Sequence, residues 1–192
     1  SIALQRATPS EVIVVDGGST DDTVALVRAF ARSAPFRVEV VDEGPCNIAA
    51  GRNKGLRLVR EDIVVVLDAG CTLRPDFLSA MVGPFRSHPQ TDLVGGIYLP
   101  APDAPRATVF VPDWQRCDFS TFLPSARALA VRPFLARSMG GFPEYLSHTG
   151  EDTLFDIEYR RVSRKWVINR AAIVEWSGPA DERGVQKLGR SY

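Results

Sequence analysis

Acidic side chains follow three short, valine-rich runs in the first half of the chain. Asp16 ends the first run, Asp42 and Glu43 end the second, and Asp68 ends the third. Such runs are typical of strands buried in a parallel sheet, and ligands of open α/β sheets bind at the carboxyl ends of their strands. Carboxylates grouped at that edge suit a divalent cation that accompanies phosphate, or hydrogen bonds to a base or a ribose. Each aspartate alone is equally typical of a polar turn.

A glycine pair and a cationic segment accompany these acids. Gly17 and Gly18 follow Asp16 at a predicted strand-to-helix junction, where the backbone and a helix N-terminus can approach a ligand closely. The segment is neither a G-x-G-x-x-G fingerprint nor a Walker motif, so it supports neither dinucleotide nor P-loop chemistry. Arg52 lies on a predicted helix between two acid-tipped strands. It could pair with a diphosphate, and a solvated helix face is the alternative interpretation.

Two acids open a predicted helix in the second half of the chain. Glu151 and Asp152 stand in its first turn, and the Thr149-x-x-Asp152 spacing is that of a capping box. The helix dipole also favours acids in a first turn. From these residues alone, a structural role is the stronger interpretation.

The composition is that of a soluble globular domain. The chain has 192 residues, 45% hydrophobic and 24% charged, with 23 basic and 23 acidic side chains. Zero net charge argues against a surface that holds a nucleic-acid backbone, and two histidines nearly exclude a His-rich zinc site. Three cysteines without a C-x-x-C pair indicate free thiols in a reducing compartment, so we expect a cytoplasmic protein. No targeting segment is recognised, and the longest apolar run, Ile63–Leu67, is too short to cross a bilayer.

Strands and helices alternate along the chain, which predicts βαβ units and an α/β sheet. The first half has strands over 11–16, 36–44 and 62–70, and helices that begin near Ser19–Asp22, near Ile48 and at Pro75. A proline-rich stretch over 99–112 is predicted to be a loop. The second half has a strand over 128–131, a turn over 140–144, a helix over 151–163, and short strands over 166–168 and 172–174.

Several of these segments, in order and at suitable spacing, resemble family 2 glycosyltransferases of the GT-A fold. The match covers most of the chain, and the ordered series is far more specific than any one motif. The segments that carry it are Pro9–Thr23, Gly51–Gly55, Val66–Cys71, Pro75–Leu78, Gly140–Glu144 and Gly150–Thr153.

The resemblance implies an α/β fold of the GT-A type. We expect a Rossmann-like, mostly parallel sheet flanked by helices. Against the family pattern, the chain is expected to lack the first strand of that sheet. Residues 1–98 would form a nucleotide-binding half, and residues 99–192 would form the acceptor-binding and catalytic half of the same domain.

The resemblance also implies roles for particular residues. Asp16 would contact the nucleotide base, with Gly17 beside it, and Arg52 would lie near the base or the diphosphate. Asp68 holds the first position of the D-x-D element, which helps to bind a metal ion and the sugar nucleotide. This element reads Asp68-Ala69-Gly70 here, so its second carboxylate is missing.

Asp152 matches the catalytic base that activates the acceptor hydroxyl. Glu151 beside it would orient the base or contact the acceptor, and we count both residues as candidate catalytic residues.

The implied activity is inverting transfer of a sugar from a nucleotide-sugar donor to an acceptor hydroxyl. A divalent cation (Mg²⁺ or Mn²⁺) near Asp68 and a UDP-sugar donor are expected, with a sugar, a lipid or another hydroxyl compound as the acceptor. Peripheral membrane association at the cytoplasmic face is a further expectation, and no nucleic-acid partner is expected. The alternatives are a sugar-nucleotide- or partner-binding domain without catalysis, and a nucleotidyltransferase.

Overall fold

The computed structural model describes residues 1–102, 112–146, 150–163 and 165–177. The elements in these residues are β1 (Glu11–Asp16), α1 (Thr23–Ala31), β2 (Arg37–Asp42), α2 (Ile48–Leu58), β3 (Val64–Val66), β4 (Cys71–Leu73), α3 (Phe77–Ser87), β5 (Leu93–Pro100), β6 (Leu129–Val131), α4 (Pro133–Ser138), α5 (Glu151–Val162) and β7 (Trp166–Trp176). None of these helices combines the length and the hydropathy that crossing a bilayer requires.

The first two strands form a small parallel sheet. β1 pairs with β2 so that Asp16 lies directly beside Asp42 at the carboxyl end of both strands. α2 packs against β1, with Gly51 and Gly55 facing Val15. This packing sets the helix that carries Arg52 beside the acid-tipped edge of β1.

The remaining strands form a five-stranded sheet in the order β3-β6-β5-β7-β4. Only β5 and β7 are parallel in it, and the other three pairings are antiparallel. The predicted α/β class with flanking helices is confirmed, but the sheet is mixed rather than mostly parallel. A parallel neighbour needs a long crossover, usually a helix. The described chain that leads into β6 carries only a 3₁₀ turn at Ala126–Ala128.

This sheet separates two apolar cores, because successive side chains of a strand point to opposite faces. Val94 of β5 and Ala130 of β6 face α3, where Phe77 and other side chains form the first core. Leu93 and Leu129 face the other side. The second core there also contains residues of α2, α4 and α5: Ala49, Leu56, Ala136, Phe155 and Tyr159.

Several element predictions need correction. β5 was not predicted, and its last two residues fall in the stretch predicted as a loop, of which residues 103–111 lie outside the described part. Gly95 and Gly96 interrupt the apolar residues of β5, because neither position has room for a side chain. A Cβ atom at Gly96 would lie 2.6 Å from the carbonyl oxygen of Ala172 on β7. The two predicted short strands near the end are one continuous strand, β7, and α3 begins at Phe77 rather than at Pro75.

Candidate active site

Arg52 lies between one carboxylate from each half of the chain. Asn47 caps α2 by accepting a hydrogen bond from the backbone N–H of Ala50, and Arg52 follows in the second turn. Its Nη2 lies 2.5 Å from Oδ1 of Asp68, and its Nη1 lies 2.5 Å from Oε1 of Glu151. Burial disfavours the charged guanidinium, but the two carboxylates outweigh this effect and raise the pKa of Arg52. Arg52 therefore stays charged and joins Asp68 to Glu151.

Asp68 faces a second guanidinium, which the sequence did not predict. β3 and β6 are antiparallel with Val66 opposite Leu129, so the chain after Val66, with Asp68, comes close to the 3₁₀ turn before Leu129, with Arg127. The Nε atom of Arg127 lies 3.9 Å from Oδ2 of Asp68. Its guanidinium lies 3.8 Å from the centre of the Trp176 ring. One carboxylate thus faces two arginines from different elements.

Asp152 lies next to the cluster formed by Arg52, Asp68, Glu151 and Arg127, and Ser125 connects it to that cluster. Its Oδ2 accepts hydrogen bonds from Oγ of Ser125 at 3.2 Å and from the backbone N–H of Ala126 at 3.3 Å. Ser125 also accepts a hydrogen bond from Nη1 of Arg127 at 3.1 Å. Asp152 is half-buried, whereas Glu151 is only 6% exposed. Ser125 therefore links the Asp152 carboxylate to the arginine that faces Asp68.

The start of α5 differs from the predicted capping box. Its N-cap is Gly150, which has φ of +88° and offers no side-chain cap, and Thr149 lies outside the described residues. Glu151 and Asp152 stand in the first turn as predicted, where the helix dipole stabilises their charge. The Asp152 carboxylate accepts one first-turn bond, from the backbone N–H of Thr153 at 2.8 Å, and no side chain of the N-cap residue adds another. Both carboxylates remain free for the contacts described above.

Asp16 keeps its hydrogen bonds within its own turn. Its carboxylate accepts bonds from the backbone N–H groups of Gly18 and Ser19 and, at 2.5 Å, from Oγ of Ser19. The Ser19 side chain contributes most to a lowered pKa of Asp16, with the two backbone donors adding to it. Ser19 was expected at the cap of α1, which instead begins after Asp22. Gly17 lies against Cys46.

Among the predicted site residues, the structure brings Arg52, Asp68 and Glu151 into direct contact. Asp152 joins them through the hydrogen bonds of Ser125 and Arg127. Within the described chain, the hydrogen bonds of Asp16 do not reach this cluster. The roles predicted for all these residues in binding and catalysis stay predictions.

The side chains around Asp68 do not fit a divalent cation. The only carboxylate of Asp68-Ala69-Gly70 already faces two guanidiniums. Burial, with the charge of Asp68, raises the pKa of the nearby Cys71 thiol to about 11, so this sulfur is neutral and a poor ligand. Across the described ranges, no three His, Cys, Asp or Glu side chains are grouped to hold a metal ion. The expectation that Asp68 is a metal ligand has no support from its described neighbours.

Comparison with known proteins places the chain in a family. The sequence model of "Glycosyl transferase family 2" matches residues 1–118. A hyaluronan synthase of Pasteurella multocida is 27% identical over 125 residues, which are 65% of this chain and 12% of that protein. A glucosyl-dolichyl phosphate glucuronosyltransferase of Haloferax volcanii is 26% identical over 100 residues, or 52% of this chain and 32% of that protein. The chain thus spans only a part of these relatives.

Solved structures show the same fold. One is the mannosyltransferase PcManGT from Pyrobaculum calidifontis, in complex with GDP-Man and Mn²⁺. It superimposes with a TM-score of 0.72 at 22% sequence identity, and the match covers 94% of this chain and 52% of that one. S. aureus TarS 1-349 in complex with UDP-GlcNAc has a TM-score of 0.72 at 19% identity, over 95% of this chain and 54% of that one. Both are glycosyltransferases of the GT-A fold. This chain belongs to glycosyl transferase family 2 and has the GT-A fold.

Proposed function

We propose that this protein is an inverting glycosyltransferase that moves a sugar from a nucleotide-sugar donor to an acceptor hydroxyl. The observation that carries the proposal is the position of the Asp152 carboxylate. It is half-buried and held by Ser125, which accepts a hydrogen bond from Arg127. Arg127 and Arg52 both face Asp68, where we place the donor. A base on one side of a reacting carbon and fixed positive charge on the other suit an in-line displacement.

Asp152 suits the role of the base better than Glu151 does. Glu151 is buried and its charge is committed to Arg52. The Asp152 carboxylate accepts three hydrogen bonds, from Ser125, Ala126 and the backbone N–H of Thr153, and a carboxylate has room for about four. One acceptor position is therefore left for a substrate hydroxyl. Glu151 orients Arg52 rather than the acceptor.

The displacement has one step. Asp152 takes the proton of the acceptor hydroxyl, and the oxygen forms a bond to the anomeric carbon. The bond from that carbon to the diphosphate oxygen breaks, and its electron pair leaves with the nucleoside diphosphate. Attack from the face opposite the leaving group inverts the anomeric configuration.

The donor side is assigned to Arg52, Asp68 and Asp16. Support comes from their places at or beside the ends of β1 and β3 and from the structural neighbours, whose complexes hold UDP-GlcNAc or GDP-Man with Mn²⁺. We retain a uridine nucleotide as the preferred donor. No step of the mechanism passes through a cation, because the residues around Asp68 do not fit one.

The acceptor and the place of action are further parts of this proposal. The names of the curated relatives mention hyaluronan and glucosyl-dolichyl phosphate, so we propose a carbohydrate or lipid-linked hydroxyl as the acceptor. We also propose that the protein works in the cytoplasm, at a membrane where the acceptor is a lipid. The three free cysteines support a reducing compartment.

Substitution of the base tests the mechanism. In the full-length protein, Asp152→Asn should lower sugar transfer by about 10²–10⁴-fold, the usual contribution of a general base. Donor affinity should stay close to that of the parent, because the amide keeps the shape. The amide nitrogen cannot accept the bond from Thr153, so the melting temperature should fall only slightly. Glu158→Gln, on the exposed face of the same helix, is the matched control and should transfer sugar at the parental rate.

The products separate this proposal from its alternatives. Release of a nucleoside diphosphate from a sugar nucleotide is expected. Release of pyrophosphate from a nucleoside triphosphate and a sugar phosphate would identify a nucleotidyltransferase instead. Parental transfer rates in Asp152→Asn would remove Asp152 from the mechanism, and binding of sugar nucleotides without any transfer would indicate a domain that only binds them.

A further inference from the structure

We propose that Arg127 is a donor-binding residue that supplies positive charge to the leaving diphosphate beside Asp68. The inference rests on the proposed function and extends it to a residue that no motif indicated. Ala69 and Gly70 offer no carboxylate to a cation at this place, whereas Arg127 brings a guanidinium to it.

The sheet places Arg127 at this site. It lies in the 3₁₀ turn that leads into β6, two residues before Leu129, and Leu129 pairs with Val66, two residues before Asp68. Its side chain is 17% exposed, so part of it remains open to a ligand. The Arg127 guanidinium therefore stands at the strand ends where the donor is expected.

Its neighbours hold the guanidinium in one orientation. Trp176 lies under it at 3.8 Å, and Tyr98 lies 5.1 Å away. Nη1 donates a hydrogen bond to Ser125 at 3.1 Å. A guanidinium fixed by stacking and a hydrogen bond loses little freedom when it binds an anion, and its planar shape suits phosphate oxygens.

The arginine pair has hydrogen-bonding capacity to spare. The Nε atoms of Arg127 and Arg52 are buried, and neither has a hydrogen-bond partner. The carboxylates that face the pair are Asp68 and Glu151, so two positive charges meet two negative charges. An incoming diphosphate would compete with Asp68 for the positive charge of both guanidiniums. A divalent cation at Asp68 would be repelled by both guanidiniums within a few ångströms.

The same position serves the chemical step. Negative charge grows on the diphosphate as the bond to the anomeric carbon breaks, and a positive group already in place stabilises that charge without reorganisation. Ser125 contacts both Arg127 and Asp152. It therefore acts as a positioning residue that sets the separation between the base and the leaving-group site.

Binding of nucleotides to the full-length protein tests the inference. Titration calorimetry would compare UDP with UMP, and GDP with GMP, in EDTA and in Mn²⁺. We expect the parent to bind its nucleoside diphosphate in EDTA. Arg127→Met should weaken that binding by about 10- to 100-fold, as expected for a charged hydrogen bond. The monophosphate should change by less than about threefold, because it lacks the phosphate that Arg127 contacts.

Two further variants control the result. Arg116→Met replaces an arginine whose side chain is 89% exposed, and it should bind like the parent. Arg127→Lys keeps the charge and the apolar stem but lacks the planar fork, so diphosphate affinity should fall to an intermediate value. If Arg127→Met melts well below the parent, Arg127→Lys decides the question.

Three results would overturn the inference. In the first, the parent binds the nucleoside diphosphate and Arg127→Met binds it with the same affinity. If Arg127→Met is unstable, Arg127→Lys takes its place in this comparison. The parent could bind the diphosphate only when Mn²⁺ is present. In both cases the proposed function stands and Arg127 loses its role. A parent that binds no nucleoside diphosphate under any condition would instead defeat the proposed function, and the inference with it.

Discussion

Arg52 determines what the two acids at the start of α5 can do. Its ion pair with Glu151 is buried, and a buried pair adds little net stability because both charges lose their hydration. The pair does fix the orientation of Glu151, because removing Arg52 would leave the buried charge of Glu151 unpaired, whereas Arg52 has Asp68 as a second partner. Glu151 therefore acts as a positioning residue. Of the two acids at the start of α5, Asp152 is the one that can contact an acceptor.

Asp156 lies one turn after Asp152 on α5 and carries an unusual charge state. It is fully buried, and neither of its carboxylate oxygens has a hydrogen-bond partner. Burial raises its pKa to about 9, the charge of Asp152 adds to the rise, and Arg160 opposes it. At neutral pH this carboxyl is therefore protonated in the folded protein and ionised in the unfolded chain.

This difference predicts a pH dependence of stability. A raised pKa means that the folded state binds more protons than the unfolded state between about pH 4 and pH 9. The contribution of Asp156 to stability is therefore lost as pH rises through this window. Asp156→Asn cannot ionise, so its stability relative to the parent should increase with pH, by up to about 1.4 kcal/mol per pH unit. Urea unfolding at several values between pH 5 and pH 8.5 measures the trend.

Asp62→Asn is the control for this series, because it makes the same change of side chain at an exposed position. The Asp62→Asn variant and the parent should keep a constant difference in stability across the pH range. A constant difference between Asp156→Asn and the parent would contradict the prediction and show that Asp156 is ionised when folded.

At the scale of elements, Asn53 connects α2 to the turn that precedes α5. Its Oδ1 accepts a hydrogen bond from the backbone N–H of Phe142 at 2.7 Å, and its Nδ2 donates to the Phe142 carbonyl at 2.8 Å. Gly141 has φ of +77° and lies against Asn53, where a side chain would collide with it. Phe142 in turn lies 5.2 Å under the Arg52 guanidinium. Asn53 therefore positions Phe142, the residue that lies beneath Arg52 in the candidate site.

Asn53→Ala should destabilise the protein by about 2–3 kcal/mol, because two buried backbone groups would lose their partner. Chemical denaturation measures the loss, and donor affinity should fall with it as Phe142 shifts beneath Arg52. Lys54→Ala on the same helix removes only a partly exposed ion pair with Glu43, which is worth about 0–1 kcal/mol. Equal stability of the two variants would show that Asn53 does not hold the turn.

The sequence predicts the elements whose signals are local. β1 and β2 follow valine-rich runs, and α5 follows its apolar spacing and first-turn acids, so their bounds are close to those observed. The pattern fails at β5, where Gly96 allows a close approach of β7 and Gly95 allows one of Pro124, and neither glycine marks a turn. A local pattern carries no information about which distant strand lies beside a residue.

The same limit applies to the candidate site. Arg52 and Glu151 lie in recognisable motifs, although their direct contact joins residues 99 positions apart. Arg127 and Ser125 lie in no motif, and Arg127 reaches Asp68 only because β3 pairs with the distant strand β6 that follows it. Asn53 stands within the Gly51–Gly55 segment, but its hydrogen bonds to Phe142 depend on packing across the two halves of the chain.

At the scale of the whole molecule, the two halves are interleaved in one sheet. The boundary predicted between residues 98 and 99 falls inside β5, and β5 pairs with β6 and β7 of the second half. The strands β3 and β4 of the first half lie at the two edges of the same sheet. The assignment of nucleotide binding to one half and acceptor binding to the other stays a functional prediction, whereas the packing couples the halves.

This coupling predicts that a cavity in one core loosens the other. Phe155 is 1% exposed in the second core and stacks on Phe142 at 4.1 Å, so Phe155→Ala should cost about 3–5 kcal/mol. Hydrogen exchange should then accelerate by about 10²–10³-fold in α3 as well as in α5, because β5 and β6 contribute side chains to both cores and open as one unit.

Ile157→Ala, at a position that is 41% exposed on the same helix, should change exchange little in either helix. Mass spectrometry of peptides that cover Phe77–Ser87 and Glu151–Val162 measures both helices in one experiment. Acceleration confined to the α5 peptide would mean that the second core unfolds by itself, and the division of the chain would then be structural as well as functional.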